Sequence, residues 1–119
     1  MKYKITYLPA AQNDLLEITE YIAVKLNNPE AALKQAERIR DAVNNAAENP
    51  YMYPVHYPVK KLKHDYRKIP VNNYLVFYWV EESEKTITAA RILYNRRNYM
   101  MTDGGTSYLN EPPMRWKLK

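Results

Sequence analysis

The segment LKHDYRKIPVNNYLVFYWVEESEKTITAARILY, residues 62–94, carries the strongest signal of the fold. Runs rich in β-branched and aromatic residues favour strands, and they occur here at 62–71, 74–80 and 86–94. Asn72 and Asn73 fill the first gap, and asparagine tolerates the positive φ that a two-residue hairpin needs. The charged residues 81–85 form a second turn. The segment therefore predicts an antiparallel meander of three strands.

Before this segment, the pattern is first that of a strand and then that of a helix. Tyr3, Ile5 and Tyr7 alternate with polar residues, which is typical of a half-buried strand. Residues 10–26 then carry apolar side chains at helical spacing, at Ala11, Leu15, Ile18, Ile22 and Leu26. Asp14, Glu17, Glu20 and Lys25 fall outside this stripe. The pattern predicts an amphipathic helix with these four residues on its polar side.

A second helix is predicted from Pro29 to Asn49-Pro50. Pro29 suits a first helical turn, and Asn28 is placed to cap it. The buried stripe comprises Ala32, Ala36, Ile39, Val43 and Ala46. Because only a short break separates the two helices, they should form an antiparallel hairpin. The expected fold is α+β, with an N-terminal strand, this helical hairpin and the three-stranded meander, the helices packing on one twisted, mostly antiparallel sheet.

Length and composition indicate one domain. The chain has 119 residues, which is enough for a single core, assigned to residues 1–99. Residues 100–119 hold both glycines and a Pro-Pro pair, so we expect a flexible tail. With no cysteine and two histidines, we expect neither a metal site nor a cofactor. The chain shows no signal peptide and no long apolar run, so we expect a cytoplasmic protein without membrane contact.

Positive charge is concentrated in the second half. Residues 1–50 carry a net charge of −1 and residues 51–119 a net charge of +6. The basic residues that could contact a target or a nucleic acid are Lys60, Lys61, Lys63, Lys68, Arg91 and Arg97. Clustered basic residues are also typical of a solvated surface, so binding and simple solvation both stay open as interpretations.

A catalytic interpretation is available for some of the same region. RNA cleavage through the 2′-hydroxyl needs a base, an acid and cations that stabilise the phosphate. His64 and Arg67 are expected on the second strand, while Arg96 and Tyr99 follow the last one. If those strands shared a sheet edge, the four side chains would converge. The alternative is that His64 and Arg67 are ordinary surface side chains.

The tyrosines divide into two groups. Tyr74 and Tyr78, together with Trp79, are expected in the core of the sheet, where a ring packs and its polar atom reaches the edge. The loop of residues 50–61 carries tyrosines that are better candidates for contact with a partner, namely Tyr51, Tyr53 and Tyr57.

Taken in order, particular motifs resemble the RelE/ParE toxins. These are Ala11-x-x-Asp14-Leu15-x-x-Ile18-x-x-Tyr21-Ile22, Pro29-Glu30-Ala31-Ala32, Asn49-Pro50-x-x-Tyr53-Pro54, Tyr66-Arg67, the hairpin from Asn73 to Tyr78, and Arg91-Ile92-Leu93-Tyr94-Asn95-Arg96-Arg97-Asn98. The closing motif is closer to the ParE branch, although Tyr94 and Asn98 stand where that branch commonly has histidine and aspartate. Leu75 stands where mRNA-cleaving RelE members usually carry arginine.

The resemblance implies three functions that stay open here. The first is a ParE-like toxin that inhibits DNA gyrase, and the second is a RelE-like endonuclease that cuts mRNA on the ribosome. In the second case His64, Arg67, Arg96 and Tyr99 would be catalytic. The third is a decayed toxin that only binds its antitoxin. In every case the expected partner is a cognate antitoxin, and a basic surface suits an acidic segment that folds on binding.

Overall fold

The computed structural model describes residues 2–56 and 63–95. Strand β1 (Lys4–Tyr7) leads directly into helix α1 (Pro9–Glu20), with proline in the first helical turn. The helix continues as a π-helical segment, the π-turn (Tyr21–Lys25). After Asn27 reverses the chain with a φ of 52°, helix α2 (Pro29–Glu48) runs back. Asn28 caps α2 as predicted, since its side-chain oxygen accepts a hydrogen bond from the amide of Ala31 at 3.1 Å.

The remaining elements are three strands that form the predicted meander. They are β2 (Arg67–Val71), β3 (Tyr74–Glu81) and β4 (Thr86–Tyr94), and a 3₁₀ turn (Glu82–Glu84) joins the last two. The hairpin at Asn72 and Asn73 is confirmed, and Asn72 has the positive φ, 55°, that such turns require.

The sheet is mixed, with the strand order β1-β4-β3-β2. The meander pairs are antiparallel, while β1 pairs with β4 in parallel. An irregularity in the β3–β4 pairing leaves Ala90 as an extra residue, because Phe77 pairs with Arg91 and Tyr78 with Ala89. The α+β class and the helical pair on a mostly antiparallel sheet are confirmed.

The core lies between the helices and one face of the sheet. Its fully buried aliphatic residues come from both layers and include Ile18, Ile39, Val43, Ile69, Val76, Ile87 and Ile92. Alternate strand residues point to the opposite face, which we call the outer face and which includes the half-buried Leu75, Phe77 and Leu93. None of the described helices is long and apolar enough to cross a membrane.

Three details of the sequence prediction are wrong. Asp14 is 2% exposed, not on the polar side of α1, because it faces β4. Leu26 is 55% exposed, since the wider π-turn rotates it away from the stripe that an α-helix would continue. Trp79 is only half-buried, because it points to the outer face while its neighbours Tyr78 and Val80 point to the core.

Strand β2 is also shorter than predicted. It begins at Arg67, so His64 lies before the strand and not on it. Residues 63 and 64 form a bend, and the His64 ring packs on Trp79 instead of extending the strand ladder. Residues 57–62 and 96–119 lie outside the described residues, and with them the predicted tail and Tyr57.

Candidate functional site

Several of the predicted basic and catalytic residues gather around one cleft of about 320 Å³ beside the start of β2. We call it the basic cleft, and its walls are formed by Tyr51, Lys63, His64, Asp65, Arg67, Trp79 and Val80. Lys63 and Arg67 supply positive charge and Asp65 supplies one carboxylate. His64 and Arg67 both line this cleft, although only Arg67 belongs to the strand.

An aromatic stack forms one wall of the basic cleft. The rings of His64 and Trp79 are parallel within 2°, with their centroids 3.9 Å apart. Tyr66 packs its ring edge against both, with centroid distances of 5.8 Å to His64 and 5.7 Å to Trp79. The indole Nε1 of Trp79 is buried and has no hydrogen-bond acceptor among the described residues. One face of the imidazole is thus covered by a ring, which fixes the orientation of His64.

Arg67 is held in place by the loop that follows α2. Its Nη1 donates to the backbone oxygen of Tyr53 at 2.6 Å, and its guanidinium carbon lies 5.0 Å from the ring centroid of Tyr51. The same loop is attached to the sheet because the buried Tyr78 hydroxyl donates to the Pro50 carbonyl at 2.6 Å. Burial raises the pKa of Tyr78 to about 12, so its hydroxyl stays protonated and able to donate.

A carboxylate on the surface positions Tyr51 at the cleft. Glu82 accepts hydrogen bonds from the hydroxyls of Tyr3 and Tyr51 and from Lys85 Nζ. The hydrogen bond from Lys85 is the largest cause that lowers the pKa of Glu82 to about 2, followed by those from the tyrosines. In return, the hydrogen bond to Glu82 raises the pKa of Tyr51. Glu82 thus connects the residue before β1, the loop after α2 and the β3–β4 turn beside the cleft.

Arg91, predicted to contact a target, forms a partly buried ion pair with Asp14. Its Nε and Nη2 donate to the two carboxylate oxygens of Asp14, at 2.7 and 3.0 Å, which is a bidentate arrangement. Asp14 also accepts from the backbone amide of Ile92 at 2.9 Å. The hydrogen bond to Asp14 is the main cause that raises the pKa of Arg91. Since β1 pairs with β4 only as far as Ala89, Asp14 satisfies the strand edge beyond that point.

The other predicted site residues are distributed as follows. Lys68 is on β2 opposite Phe77, on the outer face, and not in the basic cleft. The convergence of His64 and Arg67 with Arg96 and Tyr99 required β2 and β4 to share a sheet edge. They do not, because the meander places β3 between them. Four of the remaining residues, Lys60, Lys61, Arg96 and Arg97, lie outside the described residues, as does Tyr99.

The sequence interpretation missed two residues, one in the basic cleft and one that binds Arg91. Trp79 was assigned to the core, yet it is a wall of the cleft. The alternation along β3 gives the signal, because Trp79 is one position out of phase with the buried Tyr78. Asp14 was missed as well, although it lies three residues after Ala11 and four before Ile18, which is the spacing of the buried stripe.

The basic cleft is chemically suited to binding an anionic or planar group. It has two cations on its walls and an aromatic wall, features that contact phosphates, carboxylates and planar rings. Within residues 2–56 and 63–95, no group of histidine and acidic residues could hold a metal ion.

The fold is similar to that of several solved structures from toxin–antitoxin systems. The toxin–antitoxin system ParDE from the chromosome of P. aeruginosa aligns with a TM-score of 0.62 at 21% identity, covering 78% of this chain and 96% of that one. The RelBE2 complex of Mycobacterium tuberculosis aligns with a TM-score of 0.52 at 14% identity, covering 79% and 99%. The E. coli RelBE complex aligns with a TM-score of 0.51 at 14% identity, covering 77% and 95%. At these identities the structures show a shared fold.

The family follows from the sequence itself. The family model described as the ParE toxin of the type II toxin–antitoxin system parDE matches residues 5–99. The chain belongs to this ParE toxin family. No curated protein matches it.

Proposed function

We propose that this chain is a ParE-like toxin that binds DNA gyrase and traps it on cut DNA, without covalent chemistry of its own. The observation that carries the proposal is that the candidate catalytic side chains already pack on, or bind to, other parts of the protein. The His64 ring is stacked on Trp79, and Arg67 donates to the Tyr53 carbonyl. Both side chains already have packing roles, so the basic cleft is better suited to binding than to proton transfer.

The outer face supports the same proposal. Leu75 pairs with Pro70 on one side and Leu93 on the other. Leu75, in the middle of this apolar row, stands where the resemblance places an arginine in mRNA-cleaving relatives. An apolar surface stabilises no phosphate charge, whereas it suits contact with a protein.

A cognate antitoxin is proposed as the neutralising partner. The family is defined by toxin–antitoxin pairs, and two of the similar structures are complexes of a toxin with its antitoxin. The second half of the chain has a net charge of +6, which favours an acidic partner. Residues 1–99 as the toxin domain, and the cytoplasm as its location, belong to the same proposal.

The direct test uses purified gyrase and supercoiled plasmid. We expect the full chain to increase the amount of linear DNA that is recovered after the enzyme is denatured. The Arg96→Ala/Arg97→Ala variant should lose this effect together with growth arrest, because both arginines belong to the closing motif that resembles the ParE branch and could contact the target. Lys2→Ala/Lys4→Ala removes the same charge from exposed positions in and next to β1 and is the matched control. If the double arginine variant still arrests growth, this motif is not the site of contact with gyrase.

The RelE-like alternative is kept because Lys63, His64 and Arg67 do surround one polar cleft. Its test is the mapping of mRNA ends after induction. Codon-linked cuts that disappear in His64→Ala would replace the gyrase proposal with ribosome-dependent cleavage. A chain that causes neither cuts nor arrest, yet binds an antitoxin, would be a decayed toxin.

A further inference from the structure

A second cleft, of about 370 Å³, lies where the tip of the helical hairpin meets the β2–β3 turn. We call it the hairpin cleft. Its walls come from the π-turn, from the first half of α2, and from the ends of β3 and β4 nearest that turn. The register places Val71, Tyr74 and Tyr94 side by side at this end of the sheet. Val71 is four positions along β2 from Arg67, which lines the basic cleft. The hairpin cleft is therefore a separate site.

Gln35 offers a buried hydrogen-bond donor at this cleft. The residue is 7% exposed, and its Oε1 accepts a hydrogen bond from Asn72 Nδ2 at 2.9 Å. Its Nε2 is buried and has no acceptor among the described residues. A buried donor without an acceptor is unfavourable, so a ligand oxygen at this position would gain a hydrogen bond.

Positive charge flanks the same amide. Lys34 and Arg38 line the cleft next to Gln35, and both side chains are exposed. They are four residues apart on α2, which is a repulsive spacing for like charges. Neither makes an ion pair within the described part of the chain. An anion between them would relieve this repulsion while it accepts from Gln35.

The rest of the cleft is aromatic and aliphatic. Tyr74 and Tyr94 pack edge to face, with centroids 5.9 Å apart. Tyr21 and Ile22 reach the cleft from the π-turn, and Leu26 lies at its rim. Short π-helical segments occur frequently at functional sites. These walls suit the hydrocarbon or ring portion of a ligand, while Gln35 and the two cations suit its charged end.

We propose that the hairpin cleft binds a carboxylate that is carried on an aromatic or aliphatic body. One carboxylate oxygen accepts a hydrogen bond from Gln35 Nε2. Lys34 and Arg38 balance the negative charge, and the body packs against the tyrosine rings. The carboxylate belongs either to a small organic acid or to an acidic side chain of a peptide. The proposal does not depend on gyrase as the target.

The experiment is a calorimetric and NMR titration of the full chain with 3-phenylpropionate and with 3-phenylpropionamide, which lacks the charge. The acid should bind and should shift the Gln35 side-chain amide signals, while the amide should bind about tenfold or more weakly. Equal binding of 3-phenylpropionate and 3-phenylpropionamide would overturn the proposal. So would the absence of binding by both 3-phenylpropionate and the glutamate peptide acetyl-Leu-Glu-Leu-amide.

Variants locate the binding. Arg38→Gln should weaken binding of the acid about fivefold to tenfold, since it removes one charge-assisted contact. Arg40→Gln is the matched control, because Arg40 is exposed on the same helix but lines a different groove. An equal loss in both variants would mean general attraction to a basic helix and would contradict a specific site. Both substitutions are on the surface, so they test the site even if a Gln35 variant fails to fold.

The peptide acetyl-Leu-Glu-Leu-amide and its glutamine counterpart identify the source of the carboxylate. Binding of the glutamate peptide more tightly than 3-phenylpropionate, with loss in Arg38→Gln, would assign the cleft to an acidic peptide. The reverse order would assign it to a small organic acid. Either order supports the carboxylate site, and growth arrest or gyrase cleavage is not part of the readout.

Discussion

Asp14 and Glu82 are two carboxylates that each accept hydrogen bonds from distant parts of the chain, one in a buried position and one at the surface. Asp14 accepts hydrogen bonds from the Arg91 side chain and the Ile92 amide, joining α1 to β4. Glu82 accepts from Tyr3, Tyr51 and Lys85, and it joins equally distant parts of the chain. Asp14 is 2% exposed, whereas Glu82 lies at the surface. Water can replace the partners of Glu82, but the Ile92 amide bound to Asp14 is buried and Arg91 is only partly exposed, so Asp14 should affect stability more strongly.

The largest expected effect is that of Asp14→Ala. It leaves the buried Ile92 amide without its acceptor, which costs about 1–3 kcal/mol of unfolding free energy. The Arg91 side chain is 37% exposed, so water replaces part of its contact and its loss of Asp14 adds a smaller amount. Urea unfolding of the full chain measures this loss. Arg91→Ala should cost less, because Ile92 keeps its hydrogen bond to Asp14. If Glu82→Ala lowered stability as much as Asp14→Ala, burial would not be what distinguishes the two carboxylates.

Two tyrosine hydroxyls differ in burial in the same way as the two carboxylates. The Tyr78 hydroxyl is buried against the Pro50 carbonyl, while that of Tyr51 contacts Glu82 at the surface. Tyr78→Phe leaves a buried carbonyl unpaired and should cost about 1–3 kcal/mol. Tyr51→Phe removes the same atom from an exposed position and is the matched control, with a much smaller change in the denaturant midpoint. Equal midpoints for the two variants would contradict the assignment of Tyr78 as the anchor of the loop.

The smallest effect concerns pH. The pKa of Glu82 is lowered from 4.5 to about 2 in the folded protein, so its contribution to stability is present above pH 4.5 and is lost as the pH falls through 2. The small difference in unfolding midpoint between the natural chain and Glu82→Gln should therefore shrink across this range. Glu84→Gln changes an exposed carboxylate in the same turn and serves as the control. A difference between natural chain and variant that stays constant from pH 5 to pH 2 would mean that the hydrogen bonds do not depend on the charge of Glu82.

The order of elements was predictable because it depends on local patterns. The alternation at Tyr3, Ile5 and Tyr7 and the asparagine pair at 72–73 predict strands and a hairpin that the structure confirms. Tertiary contact changed the details at His64 and Leu26, where ring packing and a π-turn replaced the regular period. Trp79, in contrast, follows the alternation of its strand. The parallel pairing of β1 with β4 joins residues about 80 positions apart, and no local pattern determines it.

The candidate site was predictable in composition but not in geometry. The sequence indicated a basic region around Lys63 and Arg67, and the structure brings both to one cleft. Which cations remain available was not predictable, because Arg91 looks equally free in the sequence. Its partner Asp14 is 77 residues away, and only the packing of α1 on β4 brings the two together.

Neighbouring residues and composition are enough to predict the succession of helices and strands, the hairpin turn and the positive charge of the second half. Long-range packing is needed to bury Asp14, to pair Arg91, to stack His64 on Trp79 and to present the Gln35 amide at a second cleft. The physical reason is that burial and pairing arise between side chains far apart in the chain, and the energy of a polar group depends on which neighbours replace water around it.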